Sequence, residues 1–375
     1  MTLAAAPPRT RRGLGDGALW ALLLLGLALY AGTLASPYGL RVLALAGCQA
    51  LLVLGYQFIF GHAGALSLAQ GAFFGLGAYV TAILGARYHW DFAATFPLSI
   101  LVPLGLAAIV AVPVLRLASH YFALATLGLA QVALLLVVNA DDWTGGALGL
   151  TGVPGIAVRG EALPRGLPLA AAVWGAVAVG AWLSWRVTRG LTGTAYAVLR
   201  SDPIAASAIG LGQSRLRFAA FLSSAAYAGA AGALQAHTVG VVSSETLEFS
   251  VMVTCLAMTV IGGSTRIAGA LLGALLLTYL PEWLRFLQGY ALLAYGVALL
   301  AMIILTPDGI AGLIGRAFAR GRQGARPPPT PVRLQGSRSA TLEARSLTKR
   351  FGGVLALDGV DLVIEPGQIL GLIGP

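Results

Sequence analysis

Apolar runs of membrane-spanning length recur along most of the chain, at residues 18–36, 40–60, 64–85, 95–115, 121–139, 169–187, 218–241, 249–262, 267–281 and 289–306. One helical crossing needs roughly 20 such residues, so the pattern predicts an all-α polytopic membrane protein with about ten transmembrane helices. The runs at 249–262 and 267–281 are short, and a hairpin of half-helices or one fewer crossing fits that region too. Past residue 320 the pattern breaks. Gly321–Ala340 turns to Arg, Gly, Pro and Ser around Pro327-Pro-Pro329, a semi-extended linker. Alternation of period two then starts in Thr341–Thr348 and returns in Val360–Ile364, followed by the turn Glu365-Pro-Gly367, which reads as strands. The expected organisation is a cytoplasmic N-terminus (1–17), a permease-like membrane domain (18–315), a linker (316–340) and a strand-rich tail (341–375).

Composition agrees with the pattern. Hydrophobic residues make up 58% of the chain and charged residues 10%, where a soluble domain carries roughly 25% charge. The formal net charge is +10, but the arginines gather at span ends and in the tail, which is an orientation signal and not a nucleic-acid surface. Arg9, Arg11 and Arg12 place the N-terminus in the cytoplasm, and the apolar run behind them is long enough to stay as an uncleaved first helix. Arg186, Arg189, Arg200, Arg215 and Arg217 face a single Asp202 in segment 186–217. Asp141, Asp142 and Glu161 outweigh Arg159 and Arg165 in the preceding loop, and Glu245 and Glu248 mark the following one. Counting crossings from a cytoplasmic N-terminus puts the Arg-rich segment inside, both acidic loops outside and the tail inside. Cys48 and Cys255 lie in apolar runs and read as free core thiols.

The densest pattern in the membrane part is Gly61–Tyr79. Gly71 and Gly75 sit one helical turn apart, and Gly269 and Gly273 repeat the device, as does the stripe Ala225, Gly229, Ala233; small residues so spaced let two backbones approach. Packing does not require Gln57, His62, Ser67 and Gln70 in the same region. Polar side chains at membrane depth need a partner or a wet cavity, so these four are candidates for a substrate path. The glycine-rich loop from Asp141 to Pro154 reads as a solvated connector, a gate or a docking surface. In Gly193–Gly212, Ser201 or Asp202 can cap a helix with Pro203 at its first position, and Gly210 or Gly212 can end it. The expected product is a short helix over Ile204–Ile209, either a plain interfacial connector or a lever that docks into an ATPase.

With Gly61–Tyr79, Tyr121–Thr126, Thr144–Gly146 through Gly152-Val-Pro154, Arg200–Gly210, Ile261-Gly-Gly263 and Gly269–Gly273 in view, residues 40–315 resemble the permeases of branched-chain amino acid ABC importers, the M-type subunit of the Liv system, and their urea and amide relatives. The resemblance implies a coupling helix carrying Arg200, Asp202, Pro203, Ile204, Ala205, Ala206 and Gly210. Thr126 and Gln131 join the substrate-path candidates, although Gln131 stands where the family often has a carboxylate. The tail, with Leu347–Gly353 and Asp361–Pro375, resembles the first strands of the partner G-type ABC ATPase, in which an aromatic at the position of Phe351 stacks on adenine. Gly374 is the first glycine of a phosphate-binding loop whose lysine and Ser/Thr do not follow within these 375 residues. The expected fold of the tail is therefore a strands-only fragment of an α/β P-loop domain that neither binds nor hydrolyses ATP by itself.

The functional expectation is a non-enzymatic permease subunit of an ATP-driven importer for branched-chain amino acids in the bacterial inner membrane. It would bind no cofactor or metal of its own, and ATP and Mg would act through complete ATPase subunits. The implied partners are a second, H-type permease subunit, the ABC ATPase subunits and a periplasmic substrate-binding protein. Urea or short amides are the alternative cargo. A different class, an ion-coupled secondary transporter, calls for carboxylates at membrane depth, and the spans hold essentially none. A membrane enzyme calls for clustered ligands, whereas His62, His89, His120 and His237 are scattered.

Overall fold

The computed structural model describes residues 14–33, 36–117, 119–158 and 161–284, with shorter pieces at 296–297, 300, 309–313, 341–351, 354–366, 368 and 370–371. The chain divides into two compact units, Met1–Gly321 and Arg322–Pro375. The expected span at 289–306 lies mostly outside the described residues, as do the linker, the first thirteen residues and Gly374.

The first unit is helical: α1 (Leu14–Thr33), α2 (Pro37–Tyr56), α3 (Gln70–Ala82), α4 (Phe92–Val114), α5 (Ser119–Asn139), the single turn α6 (Asp141–Thr144), α7 (Leu167–Thr188), α8 (Leu191–Ser201), α9 (Pro203–Ala208), α10 (Gln213–Val239), α11 (Phe249–Gly262) and α12 (Ile267–Trp283). Wider π-turns extend α2 over Gln57–His62 and α3 over Ile83–Arg87. Among the described residues four helices are long and apolar enough to cross a membrane, at Pro37–His62, Phe92–Val114, His120–Asn139 and Leu167–Thr188. The first of these is 89% buried across its apolar window while the other three are 22 to 39% buried, so α2 runs through the centre and α4, α5 and α7 form its rim. With 27 residues, α10 spans about 40 Å, more than the roughly 30 Å of a hydrocarbon core. Its serines, glutamines and arginines make it less apolar than the rim, which suits a helix packed against α2, α3 and α4.

The run at 64–85 is not one helix. Residues 64–69 are extended or bent, and α3 starts only at Gln70. Gly64 has a φ of +68°, which turns the chain at the end of the π-segment, and the Leu68 amide donates to Thr126 Oγ1 at 2.9 Å. An apolar run is not a helix where the chain finds hydrogen-bond partners other than its own preceding turn. α4 keeps Pro97, Pro103 and Pro113 within its length; neighbouring helices supply the groups that such prolines leave unsatisfied.

Three short strands lie between α6 and α7 or join them to the next loop: β1 (Leu150–Thr151), β2 (Ala157–Val158) and β3 (Glu161–Ala162), with β4 (Val241–Val242) following α10. β1 pairs antiparallel with β4, and β2 with β3. In the second unit β5 (Leu342–Phe351) and β6 (Val354–Ile364) form an antiparallel hairpin, registered from Leu342↔Ile364 to Phe351↔Val354 with irregularities near Leu347 and Lys349.

Candidate functional site

Four polar side chains sit inside the bundle beside α2, and each is committed to a partner. Gln57 Nε2 donates to the carbonyls of Gly263 and Arg266, both at 2.9 Å. Gln70 Nε2 donates to Leu52 O at 3.1 Å and to Ser224 O at 3.4 Å, while the Ser224 hydroxyl donates to Gln70 Oε1 at 2.5 Å. Thr126 is fully buried and gives its hydroxyl hydrogen to Ala123 O. Ser67 is buried and accepts from the Ala69 amide at 3.4 Å. These groups act as braces that tie α2, the 64–69 segment, α5, α10 and the α11–α12 loop together. Gln131 stands apart on the exposed face of α5. His62 closes the π-turn, 9% exposed, with its ring centroid 6.1 Å from Phe58 and 6.2 Å from Tyr196.

The glycine stripes divide by what they meet. A Cβ on Gly71 would make ordinary contact with Glu248 O at 3.5 Å, and Gly75 receives the side chain of Leu247, so this face seats the turn before α11. The closest backbone crossing in this half of the bundle uses residues that the α3 stripe did not include. A Cβ on Gly77 would lie 2.6 Å from Gly229 Cα, and one on Gly232 would run into the Phe74 carbonyl oxygen. Gly229 in turn has no room for a side chain beside Ser99 O and Pro103 of α4. α3, α10 and α4 therefore touch backbone to backbone. At the other end of the chain, Gly262, Gly269 and Gly273 bring α11 and α12 together: a Cβ on Gly269 would lie 2.6 Å from Gly263 O, and one on Gly273 would meet Met258 O.

The Asp141–Pro154 loop is pinned and not floppy in its hydrogen bonding. Thr144 Oγ1 reaches Val137 O at 2.6 Å and accepts from the Gly146 amide at 3.2 Å, and Gly145 and Gly146 take positive φ. The Val153 amide donates to Gly240 O at 3.1 Å, and His237 Nδ1 meets Pro154 O at 2.7 Å. The end of α10 thus holds this loop from below.

On the opposite side of the bundle, α8 leads into α9. Asp202 Oδ1 accepts from the amides of Ile204 and Ala205 at 2.8 and 3.0 Å, Pro203 opens the helix, and Gly210 follows its end with a φ of +80°. Ala206 is fully buried, while Ile204 is 81% and Ile209 67% exposed. Gln213 Nε2 reaches Pro203 O, and also Ser207 Oγ at 2.6 Å, closing the turn back to α10. α8 is seated by buried Tyr196 and Leu199, and the Tyr196 hydroxyl donates to Leu216 O at 3.2 Å; burial pushes the Tyr196 phenol up from its ordinary range. Among the described residues no group of three or more His, Cys, Asp or Glu could hold a metal. Phe351 ends β5.

Long apolar helices packed backbone to backbone at glycines define a membrane-embedded, multi-pass protein. Residues 38–306 match the family described as branched-chain amino acid transport system / permease component, and the chain belongs to that family. It is 31% identical over 285 residues to the high-affinity branched-chain amino acid transport system permease protein LivM of Salmonella typhimurium, covering 69% of this chain and 67% of the relative. To the LivM protein of Escherichia coli it is 30% identical over 283 residues, with the same coverage. A stretch of 35 residues, 9% of this chain and 10% of the relative, is 51% identical to the sulfate/thiosulfate import ATP-binding protein CysA of Bradyrhizobium diazoefficiens. No solved structure matches.

Proposed function

We propose that this chain is the permease subunit of an ATP-driven importer that moves branched-chain amino acids inward by alternating access. The α9 segment is the observation that carries the mechanistic part. A helix capped by Asp202 and anchored by buried Ala206 holds two bare isoleucines away from the bundle. Exposed large apolar side chains on a short, positioned helix fit insertion into a partner protein. In this reading ATPase subunits close on ATP and Mg beneath α8 and α9, push that lever, and switch the helices between two packings. A binding protein delivers cargo to the Asp141–Pro154 side, and a second permease subunit completes the path against the exposed rim. Both termini lie in the cytoplasm. No residue of this chain performs covalent chemistry; it supplies a path and a lever. In the same reading the tail that forms the β5–β6 hairpin is an ATPase-like segment.

Changing Ile204 and Ile209 together to Glu tests the lever. The chain should insert and fold as before, because both side chains are exposed, yet the ATPase subunits should no longer co-purify with it and uptake should be lost. Undiminished co-purification and uptake would reduce α9 to a connector.

A further inference from the structure

Two apolar rim helices, α4 and α5, meet at the end of the bundle that carries α8 and α9. With 23 residues, α4 rises about 34 Å and so matches the roughly 30 Å of a hydrocarbon core. The turn that follows it, Leu115–Leu117, therefore stands at headgroup level. A cavity of about 30 Å³ opens there, lined by Leu115 and Leu117 of the turn, Phe122 in the first turn of α5, Gly64 and Ala65 of the bend before α3, and Arg217 of α10. Arg217 Nε is buried and has no hydrogen-bond partner among the described residues. Arg116 is exposed on the turn between Leu115 and Leu117, and among the described residues neither arginine forms an ion pair.

These features restrict what fits. A buried N–H calls for an acceptor, and a guanidinium favours an anionic oxygen. No acidic residue lines the cavity, and the first turn of α5 adds the partial positive charge of a helix N-terminus. The space admits only about one or two oxygen-sized groups, so the rest of any ligand lies outside. The surroundings there are apolar: Val112, Leu117, Tyr121 and Leu124, each within a turn of a lining residue, are all exposed. An amphiphile with an anionic head satisfies both regions, whereas a free inorganic anion satisfies only the first.

We propose that this notch holds the phosphate of an anionic phospholipid. Arg217 donates to a phosphate oxygen inside the notch, Arg116 adds its charge from the exposed turn, and the acyl chains lie along the apolar faces of α4 and α5. Basic pockets between spans select lipid headgroups in this way, by charge and by their place at the membrane surface. The site needs only a bilayer and does not depend on which cargo the chain moves or on ATP. One headgroup there touches the α4–α5 turn and the base of α10 together.

The test uses the assembled transporter in detergent micelles, titrated with phosphatidylglycerol and released intact into a mass spectrometer that resolves bound lipids one at a time. The parent should hold one phosphatidylglycerol more tightly than the next, and in preference to phosphatidylcholine, whose ammonium cancels the phosphate charge. Arg217→Gln should weaken that first lipid about tenfold, the value of one lost charge-assisted hydrogen bond. Arg217→Lys, which keeps the charge without the planar fork, should fall between that variant and the parent. Arg41→Gln, which removes an exposed cation at the opposite end of the bundle, should leave retention unchanged. Inorganic phosphate at the concentration of the lipid should not displace it. Equal retention of the two lipids, parent-like retention in Arg217→Gln, equal weakening by Arg41→Gln, or displacement by inorganic phosphate would each overturn the proposal. If Arg217→Gln fails to assemble, Arg217→Lys decides: weaker retention supports the site and parent-like retention rejects it.

Discussion

Gln57 Nε2 reaches two carbonyl oxygens that stand 206 and 209 positions away in sequence. Sequence alone marks such a glutamine as costly inside a membrane; it does not say whether cargo or backbone meets the cost, because the partner is a main-chain group with no signature. The fold supplies the answer for Gln57 and Gln70, both braced to carbonyls. Gln57→Leu should therefore orphan two buried carbonyls and destabilise the chain by about 2 kcal/mol or more, read as a lower melting temperature in detergent. A parent-like melting temperature would show that water or lipid replaces the brace. Glycine is legible to the same limited extent. Spacing shows a small-residue stripe but not which face meets another backbone: the stripe Ala225, Gly229, Ala233 includes the α10 glycine of the crossing, whereas Gly77 lies outside the α3 stripe through Gly71 and Gly75. Gly77→Leu should cost more than the roughly 1–3 kcal/mol of ordinary overpacking, since backbone and not a movable side chain stands in the way, whereas Gly71→Ala should be tolerated. Thermal denaturation of the two variants compares them directly, and equal stability would contradict the crossing.

At the scale of elements, local chemistry was readable and interruptions were not. α9 follows from its own residues: Asp202 caps, Pro203 opens and Gly210 ends, all within a few positions. Helix α8 just before it, and the non-helical stretch at 64–69, depend on contacts with Leu216 and Thr126 that no local pattern announces. The loop after α5 is likewise ordered by α10, through Gly240 and His237, and not by its own glycines alone. The two ends of the bundle give a direct test of orientation. Thr151 and Ser207 are both exposed, and Cys48 and Cys255 are buried. In a variant lacking both native cysteines, Thr151→Cys should react with an impermeant thiol reagent applied to the periplasmic side of intact cells, and Ser207→Cys should react only after the membrane is opened. The opposite pattern would invert the topology.

For the whole molecule, the distribution of burial separates two kinds of apolar helix. α2 is enclosed on nearly all sides, while α4, α5 and α7 leave Leu101, Ile109, Leu124, Leu136, Val179 and Trp182 exposed. In water such a rim would aggregate; in a bilayer it meets lipid or a neighbouring subunit. This division, with the family match across residues 38–306, is what makes the chain a multi-pass permease; run length carried the multi-pass part in the sequence, and the permease part came only from the motifs that resemble that family. Cargo was not legible, because the buried polar residues that invite a substrate are largely occupied by internal partners. The central claim is ATP-driven import of branched-chain amino acids, and uptake decides it. Vesicles containing this chain with its partner permease, ATPase subunits and binding protein should accumulate labelled leucine when supplied with ATP on the lever side, and should take up neither leucine without ATP nor urea with it. Accumulation of urea in place of leucine, or leucine uptake that follows an ion gradient and ignores ATP, would contradict the account.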